Sequence, residues 1–328
     1  MEKTINTKDI KNIIVVQIGK IGDMVLTIPL FYYLKQICPD ARLTVLASSK
    51  NDEIPKNLSY VDETITFSKN ILSSFFLLKS LRKRDYDILI DVNYNYSRTS
   101  ERILKTLRPK HSFGMNLRKE LYETDLNKIS KGTHLSDITL SPVLFLKPEI
   151  RTDLAIPLRD QFPVTSGSKE FSGNKFKILF NISAGSKSRY WSKENWCTLI
   201  KDILKKYGNE KYSYYITGIT ANEEDIDWVR KNTNQEAISF IKTYNLAHLF
   251  QVISNINLLI SPDTSLVHVA SLYNKPVLGL YPNVNWNLEK FKPLSELSEV
   301  VISNNHENIF DINEKEVFEK YCNLIEQI

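Results

Sequence analysis

Apolar residues fall along this chain in short β-branched runs separated by longer stretches at helical spacing. The first run, I-I-V-V-Q-I from Ile13, reads as a strand buried on both faces; Gly19 and Gly22 then allow a tight turn, and Val25, Leu26, Ile28, Pro29 and Leu30 open a helix over about Met24–Ile37. P-D-A-R-L-T-V-L-A predicts a turn and a second strand, Val61–Phe67 a third, Ile71–Arg84 a helix, and Y-D-I-L-I-D-V-N a fourth strand. Helices over Ser97–Leu107 and Thr133–Leu146 complete the first half. Strands alternating with helices predict a parallel, doubly wound α/β sheet.

Between Val164 and Lys177 the chain turns small, polar and glycine-bearing, V-T-S-G-S-K-E-F-S-G-N-K-F-K, which reads as a linker. The alternation then restarts. F-K-I-L-F-N-I-S is a strand, Lys193–Tyr207 a helix, Y-S-Y-Y-I-T-G a strand, Ala221–Lys231 and Leu246–Ser254 helices, I-N-L-L-I-S a strand, Thr264–Tyr273 a helix, P-V-L-G-L a strand and Asn313–Gln327 a terminal helix. The expected organisation is two Rossmann-like domains, 1–164 and 178–328, joined by a linker over 165–177. A ligand is expected in the cleft between them, and the terminal helix is free to pack back on the first domain.

At 328 residues the chain suits two domains, and its 42% hydrophobic and 25% charged residues are those of a globular protein. The opening M-E-K-T-I-N-T-K-D-I-K-N lacks the apolar core of a signal peptide, and Cys38, Cys197 and Cys322 show no ligand spacing, so a reduced cytoplasmic protein without a metal cluster is expected. The longest apolar run, Ile71–Leu81, is too short to span a bilayer and reads as a buried helix. Residues 1–160 carry 25 Lys+Arg against 19 Asp+Glu, and residues 161–328 carry 18 against 19. The positives cluster at Arg98, Arg102, Lys105, Arg108, Lys110, Arg118, Lys119, Lys128 and Lys131, either as a solvated helix face or as a surface for an anionic partner. Nucleic acid is disfavoured, since no recognised binding motif accompanies the charge.

Two charged turns carry the candidate chemistry. In I-G-K-I-G-D-M-V, Asp23 sits where a strand hands over to a helix, the edge at which open α/β sheets bind ligands. It can cap the helix or accept a proton; a helix start should lower its pKa and keep it ionised. The stretch lacks G-x-G-x-x-G, which disfavours a nicotinamide cofactor. In S-P-D-T-S-L-V-H, Asp263 stands at a second junction, as a cap or a ligand contact, and Thr264 and Ser265 bring hydroxyls to a helix start suited to a diphosphate. His268 lies one turn on, as a core residue or part of the site, and the preceding loop A-G-S-K-S-R-Y-W supplies Lys187 and Arg189 to neutralise a leaving phosphate. Asp85 and Asp87 form a D-x-D before a strand rather than after one, a poor position for a metal.

Together, I-G-D-M-V-L-T-I-P, Y-D-I-L-I-D, S-F-G at Ser112–Gly114, G-S-K-S-R-Y-W-S-K-E-N-W and S-P-D-T-S-L-V-H-V-A-S-L-Y-N-K-P-V-L-G-L-Y resemble glycosyltransferase family 9, which contains the heptosyltransferases of lipopolysaccharide core assembly. The resemblance runs in order from about Ile13 to Tyr281. It implies a GT-B fold, an inverting, metal-independent transfer, no cofactor, and an ADP-heptose donor bound mainly by the second domain. Matched residue by residue, Asp23 falls where the family has its general base. Asp263, Thr264 and His268 fall on its D-T/S-G-x-x-H motif, and Arg189 falls where many members have a lysine on the donor phosphate. Lys187 and Ser265 lie beside these on the donor side. Gly22, Arg98, Arg118 and Lys119 would meet an anionic glycolipid acceptor, with peripheral contact to the inner membrane. Two positions depart from the pattern: Ser265 replaces a glycine, and Tyr281-Pro282-Asn283 replaces F-G-P-T, so donor identity is less determined than reaction type. A sugar-nucleotide epimerase or hydrolase on a similar fold, and a non-catalytic binding protein, are the alternatives.

Overall fold

The computed structural model describes residues 5–68, 70–153, 158, 161–162, 171, 173–219 and 223–328. The chain divides into two compact units, Met1–Ile156 and Pro157–Ile328. Most of the expected linker lies outside the described residues, and its last two, Phe176 and Lys177, already belong to a strand.

In the first unit the order is β1 (Asn12–Gln17), α1 (Ile21–Ile37), β2 (Arg42–Ser48), α2 (Glu53–Lys56), β3 (Glu63–Phe67), α3 (Ile71–Arg82), β4 (Ile88–Asp91), α4 (Arg98–Leu107), β5 (His111–Gly114), β6 (Thr124–Asp125), α5 (Leu126–Ile129) and α6 (Leu135–Leu146). The strands form one sheet, β3-β2-β1-β4-β5-β6, and every pairing is parallel. Ile13 to Gln17 of β1 are buried because the strand is central, between Leu43 of β2 and Ile88 of β4 in register with Ile13. A strand covered on both faces needs a continuous apolar run, and that is what Ile13–Val16 supply. Helix α3 departs from expectation. Its Ser74, Leu78 and Leu81 are buried, but Ile71, Leu72, Phe75 and Phe76 are exposed, so the longest apolar run of the chain is only half a core helix.

The second unit repeats the plan with β7 (Phe176–Asn181), α7 (Lys193–Tyr207), β8 (Tyr212–Thr217), α8 (Glu223–Asn232), β9 (Ile238–Ile241), α9 (Leu246–Asn255), β10 (Leu258–Pro262), α10 (Ser265–Leu272), β11 (Val277–Tyr281), α11 (Asn285–Phe291), β12 (Ser298–Ile302) and α12 (Glu314–Ile325). Its sheet runs β12-β11-β10-β7-β8-β9, again parallel throughout. Ile178, Phe180, Trp196 and Tyr214 anchor a core closed by α12, which packs on α7 and β12 of its own unit.

Both sheets reverse their winding once. In the first the switch falls between β1 and β4, in the second between β7 and β10. The connections leaving the carboxyl ends of those strands diverge to opposite faces, which opens a crevice in each unit where open α/β sheets take their ligands.

Candidate functional site

At the first switch point the sequence-predicted acid is the third residue of α1, just past the strand-to-helix turn, with Gly22 beside it as the second. Asp23 is half-buried, and its Oδ2 accepts from the Lys20 backbone N–H at 3.3 Å, one arm of a capping arrangement. Among the described residues no Lys or Arg comes within ion-pair distance of it. Gly19 makes room for the carboxylate: a Cβ there would meet Gln17 Oε1 at 2.8 Å and Asp23 Oδ2 at 3.0 Å. Burial pushes the Asp23 carboxyl above its ordinary value, against the pull of the Lys20 N–H and the Lys20 charge. The expectation of a lowered pKa is thereby corrected, because desolvation outweighs the helix start.

The turn bearing Asp23 is held by amides that sequence reasoning missed. Asn93, two residues past β4, accepts from Ile18 N at 3.0 Å and donates to Val16 O at 3.2 Å and Asp91 Oδ1 at 2.6 Å. Gln17 accepts from Gly19 N at 3.0 Å, and Asn51 donates to Gln17 O at 3.2 Å and Gly19 O at 3.3 Å. Asp91 is buried and receives the Tyr122 hydroxyl at 2.6 Å; desolvation drives its carboxyl upward. Polar residues that close an apolar strand run, such as Gln17 and the D-V-N after I-L-I, are the signal that could have found them.

At the second switch point Asp263 is buried and does not cap α10; the cap is Thr264, whose Oγ1 accepts from Leu266 N at 3.3 Å. Asp263 instead pairs with Arg189 Nη1 at 3.3 Å and accepts from Asn287 Nδ2 at 2.9 Å, while Arg189 Nη1 also donates to the Asp263 carbonyl at 3.1 Å. Arg189 ends a short 3-10 turn, Lys187–Arg189, after β7. Its guanidinium is half-buried, whereas Lys187 is exposed and Ser265 half-buried. Asn181, also missed, ties the two strands together, donating to Ser261 Oγ at 2.9 Å and Thr264 Oγ1 at 3.3 Å. His268 is buried one turn into α10. Burial first, and the nearby Arg189 charge second, hold its imidazole down at about 4, so it stays neutral at physiological pH.

The basic cluster of the first unit is less positive than its sequence. Glu101 pairs with Lys105 at 2.7 Å and Lys119 at 2.6 Å, and Asp87 pairs with Lys110 at 2.7 Å. Arg98 and Arg118 are exposed with no carboxylate partner among the described residues, and both Arg118 and Lys119 lie over the Tyr96 ring. Tyr96, Arg98, Glu101, Arg102, Lys105 and Thr106 line an open depression of about 400 Å³. Asp87 has a structural task. Its Oδ2 accepts from the backbone N–H groups of Lys11 and Asn12 at 2.7 and 2.9 Å, at the amino end of β1 and away from the crevice.

The family description "Glycosyltransferase family 9 (heptosyltransferase)" matches residues 75–322, three quarters of the chain. The chain belongs to glycosyltransferase family 9. The matched span contains the Asp263–His268 turn, while Asp23 precedes it. Lipopolysaccharide heptosyltransferase 1 of Campylobacter coli is 20% identical over 288 residues, covering 82% of this chain and 83% of that protein. Among solved structures, a family 9 glycosyl transferase from Veillonella parvula superposes with a TM-score of 0.76 at 18% identity, covering 99% of both chains. The E. coli heptosyltransferase WaaC with ADP gives 0.74 at 17% identity, covering 96% of this chain and 99% of its own. Two doubly wound parallel sheets in one chain are the GT-B architecture, and membership makes the protein a glycosyltransferase.

Proposed function

We propose that this glycosyltransferase moves a heptose from an ADP-activated donor to an anionic lipopolysaccharide core acceptor, with inversion and without a metal or cofactor. The observation that carries the reading is Asp23, a half-buried carboxylate at the first switch point with a raised pKa and no cationic partner among the described residues. Such a group is a stronger base than a free aspartate and is not tied up in an ion pair. ADP in the WaaC structure and the heptosyltransferase relatives support the donor.

In this reading Asp23 takes the proton of the acceptor hydroxyl as its oxygen bonds to the anomeric carbon. The carbon–oxygen bond to the diphosphate breaks on the opposite side, and ADP leaves with the electron pair. The second unit meets that charge: Arg189, with Lys187 in reserve, faces the phosphates, and the α10 start at Thr264 and Ser265 offers backbone N–H groups. Asp263 keeps the guanidinium in place, and neutral His268 leaves the positive field to Arg189. Arg98 and Arg118 receive the acceptor's phosphates.

The test is a coupled assay of ADP release with ADP-heptose, with and without a heptose-deficient core acceptor, followed by proton NMR of the product. The expected result is acceptor-dependent ADP release, an inverted anomeric centre and indifference to EDTA. Free heptose without acceptor would point to a hydrolase, and a retained configuration would remove Asp23 as the base.

A further inference from the structure

Helix α3 leaves outside what its composition would place inside. Ile71, Leu72, Phe75 and Phe76 are 73, 70, 57 and 67% exposed, and the two phenyl rings stand edge to face with centroids 5.7 Å apart. At 100° per residue these four, with Lys79, Arg82 and Lys83, fall within an arc of about 140° on one side of the helix. Ser74, Leu78 and Leu81 on the other side are buried in the unit's core. The outward face is therefore apolar in its first two turns and basic in its last. Lys79, Arg82 and Lys83 are exposed, without an ion pair among the described residues. Residues 64–84 contain five basic residues and no acidic one. Helix α4 packs alongside, joined by Arg102 Nη2 donating to Ser74 Oγ at 2.9 Å.

Four adjacent large apolar side chains in water mark an interaction surface. Its occupant must be apolar where the phenyl rings enter and anionic where the lysines and arginines lie. A second copy of the chain would bring the same positive charges to the contact, which like-charge repulsion opposes. An anionic bilayer supplies both chemistries: acyl chains at the headgroup boundary for the rings, and lipid phosphates for the cations. The helix has 12 residues, about 18 Å, enough to lie in the interface but not to cross it. Because α3 follows β3 in a parallel sheet, its apolar first turns stand at the carboxyl edge, the same edge from which the Asp23 turn opens.

We propose that the outward face of α3 is a membrane-docking surface: Ile71, Leu72, Phe75 and Phe76 enter the headgroup–acyl boundary of an anionic leaflet, and Lys79, Arg82 and Lys83 bind its phosphates. This goes beyond the transferase reading and does not depend on the sugar or nucleotide used.

The experiment is co-sedimentation of the full chain with phosphatidylcholine vesicles, with and without phosphatidylglycerol, alongside sedimentation velocity without lipid. Wild type should partition onto the phosphatidylglycerol vesicles and release as salt rises. Phe75→Ser/Phe76→Ser should lower the partition coefficient at least ~10-fold, about 1.4 kcal/mol, with Ile71→Gln/Leu72→Gln acting similarly and Lys79→Glu/Lys83→Glu removing the preference for anionic lipid. All these positions are exposed, so melting temperatures should hold, and turnover of a delipidated acceptor should be unchanged. Three results would each overturn the proposal: no wild-type binding to anionic vesicles, partition of both apolar double variants equal to that of wild type, or a wild-type dimer that Phe75→Ser/Phe76→Ser dissolves while vesicle partition is nil.

Discussion

Each switch point carries an aspartate, on opposite sides of the reversal, and the two are treated in opposite ways. Asp23 follows the central strand β1 and Asp263 follows β10, each just beyond the carboxyl end of a strand at which the sheet reverses. Asp263 is buried, paired with Arg189 and bonded to Asn287, so its charge is compensated and its oxygens are committed. Among the described residues Asp23 has a 3.3 Å bond from a backbone N–H and no cation within ion-pair range, and burial pushes its carboxyl upward. Topology therefore says where an acid will stand, and the neighbours decide what it can do. A compensated carboxylate positions other groups; an uncompensated one is available for a proton.

The comparison breaks most sharply at Asp23. Asp23→Asn keeps the size and can still accept from Lys20 N, but an amide cannot take the acceptor's proton, so turnover should fall ~10²- to 10⁴-fold with ADP affinity near normal. The stability sign runs the other way. A carboxyl whose folded pKa is raised binds its proton more tightly in the fold than in the unfolded chain, so its contribution is favourable at low pH and is lost as pH rises through the folded value. At neutral pH the buried charge is a burden, and Asp23→Asn should melt at the same temperature or higher. Wild-type kcat/KM should drop on the acid side at a pH above that of an ordinary aspartate. Near-normal turnover in Asp23→Asn would leave Asp23 a helix cap.

The second effect in size concerns the pair in the other unit. Arg189→Met removes a hydrogen-bond donor to a charged ligand, worth roughly 1.5–3 kcal/mol, or about 10- to 150-fold in ADP affinity by calorimetry. It also strips Asp263 of its counter-charge and should cost about 1–3 kcal/mol of stability. The double variant Arg189→Met/Asp263→Asn separates the two roles. Stability should return to within ~1 kcal/mol of wild type while ADP affinity stays low. Recovery of ADP affinity in the double variant would make Arg189 a mere counter-ion.

What the sequence made legible follows from distance along the chain. The turn I-G-K-I-G-D placed Asp23 at a ligand edge, because strand, turn and helix signals there are all local. The direction of its pKa was not legible: Gln17 and Asn93, which crowd and order the turn, come from the strand before and from a connection 70 residues later. Arg189 and Asp263 are 74 residues apart, and each alone read as a phosphate contact or a cap. β5, β6, β9 and β12 went unseen because two to five residues carry too little periodicity to stand out. Ile71–Leu81 was misjudged because hydrophobicity without a long-range partner cannot say which face meets the core.

The third test uses acid. His268 is held neutral, at about 4, chiefly by burial and then by Arg189. Its folded pKa lies below the unfolded value near 6.5, so the stability it contributes is complete above ~6.5 and lost as pH falls toward 4, on the order of 3 kcal/mol. Urea midpoints between pH 7 and pH 4 should fall more steeply for wild type than for His268→Gln. Identical slopes would show that His268 takes up its proton equally readily in the folded and unfolded chain, and would leave the Asp263–Arg189 pair without a neighbour held neutral through that window.

The smallest effects are expected where the first unit's cations are already spoken for. Lys119 pairs with Glu101, which also holds Lys105, so Lys119→Ala removes one of two counter-charges from a solvent-screened acid, and surface pairs of this kind add little to stability. Arg118 has no carboxylate partner among the described residues and stands over Tyr96 at 5.8 Å, free to meet an acceptor phosphate. Arg118→Ala should therefore raise the acceptor KM several-fold, ~1 kcal/mol, flatten its dependence on salt and leave the donor KM alone. Lys119→Ala should move KM less than Arg118→Ala does, although the two cations share one aromatic ring. If Lys119→Ala weakened the acceptor as much as Arg118→Ala, the acceptor would be competing for Glu101's partners. Pairing in the free protein would then be no guide to which cations the substrate uses, on this unit or at Arg189 in the other.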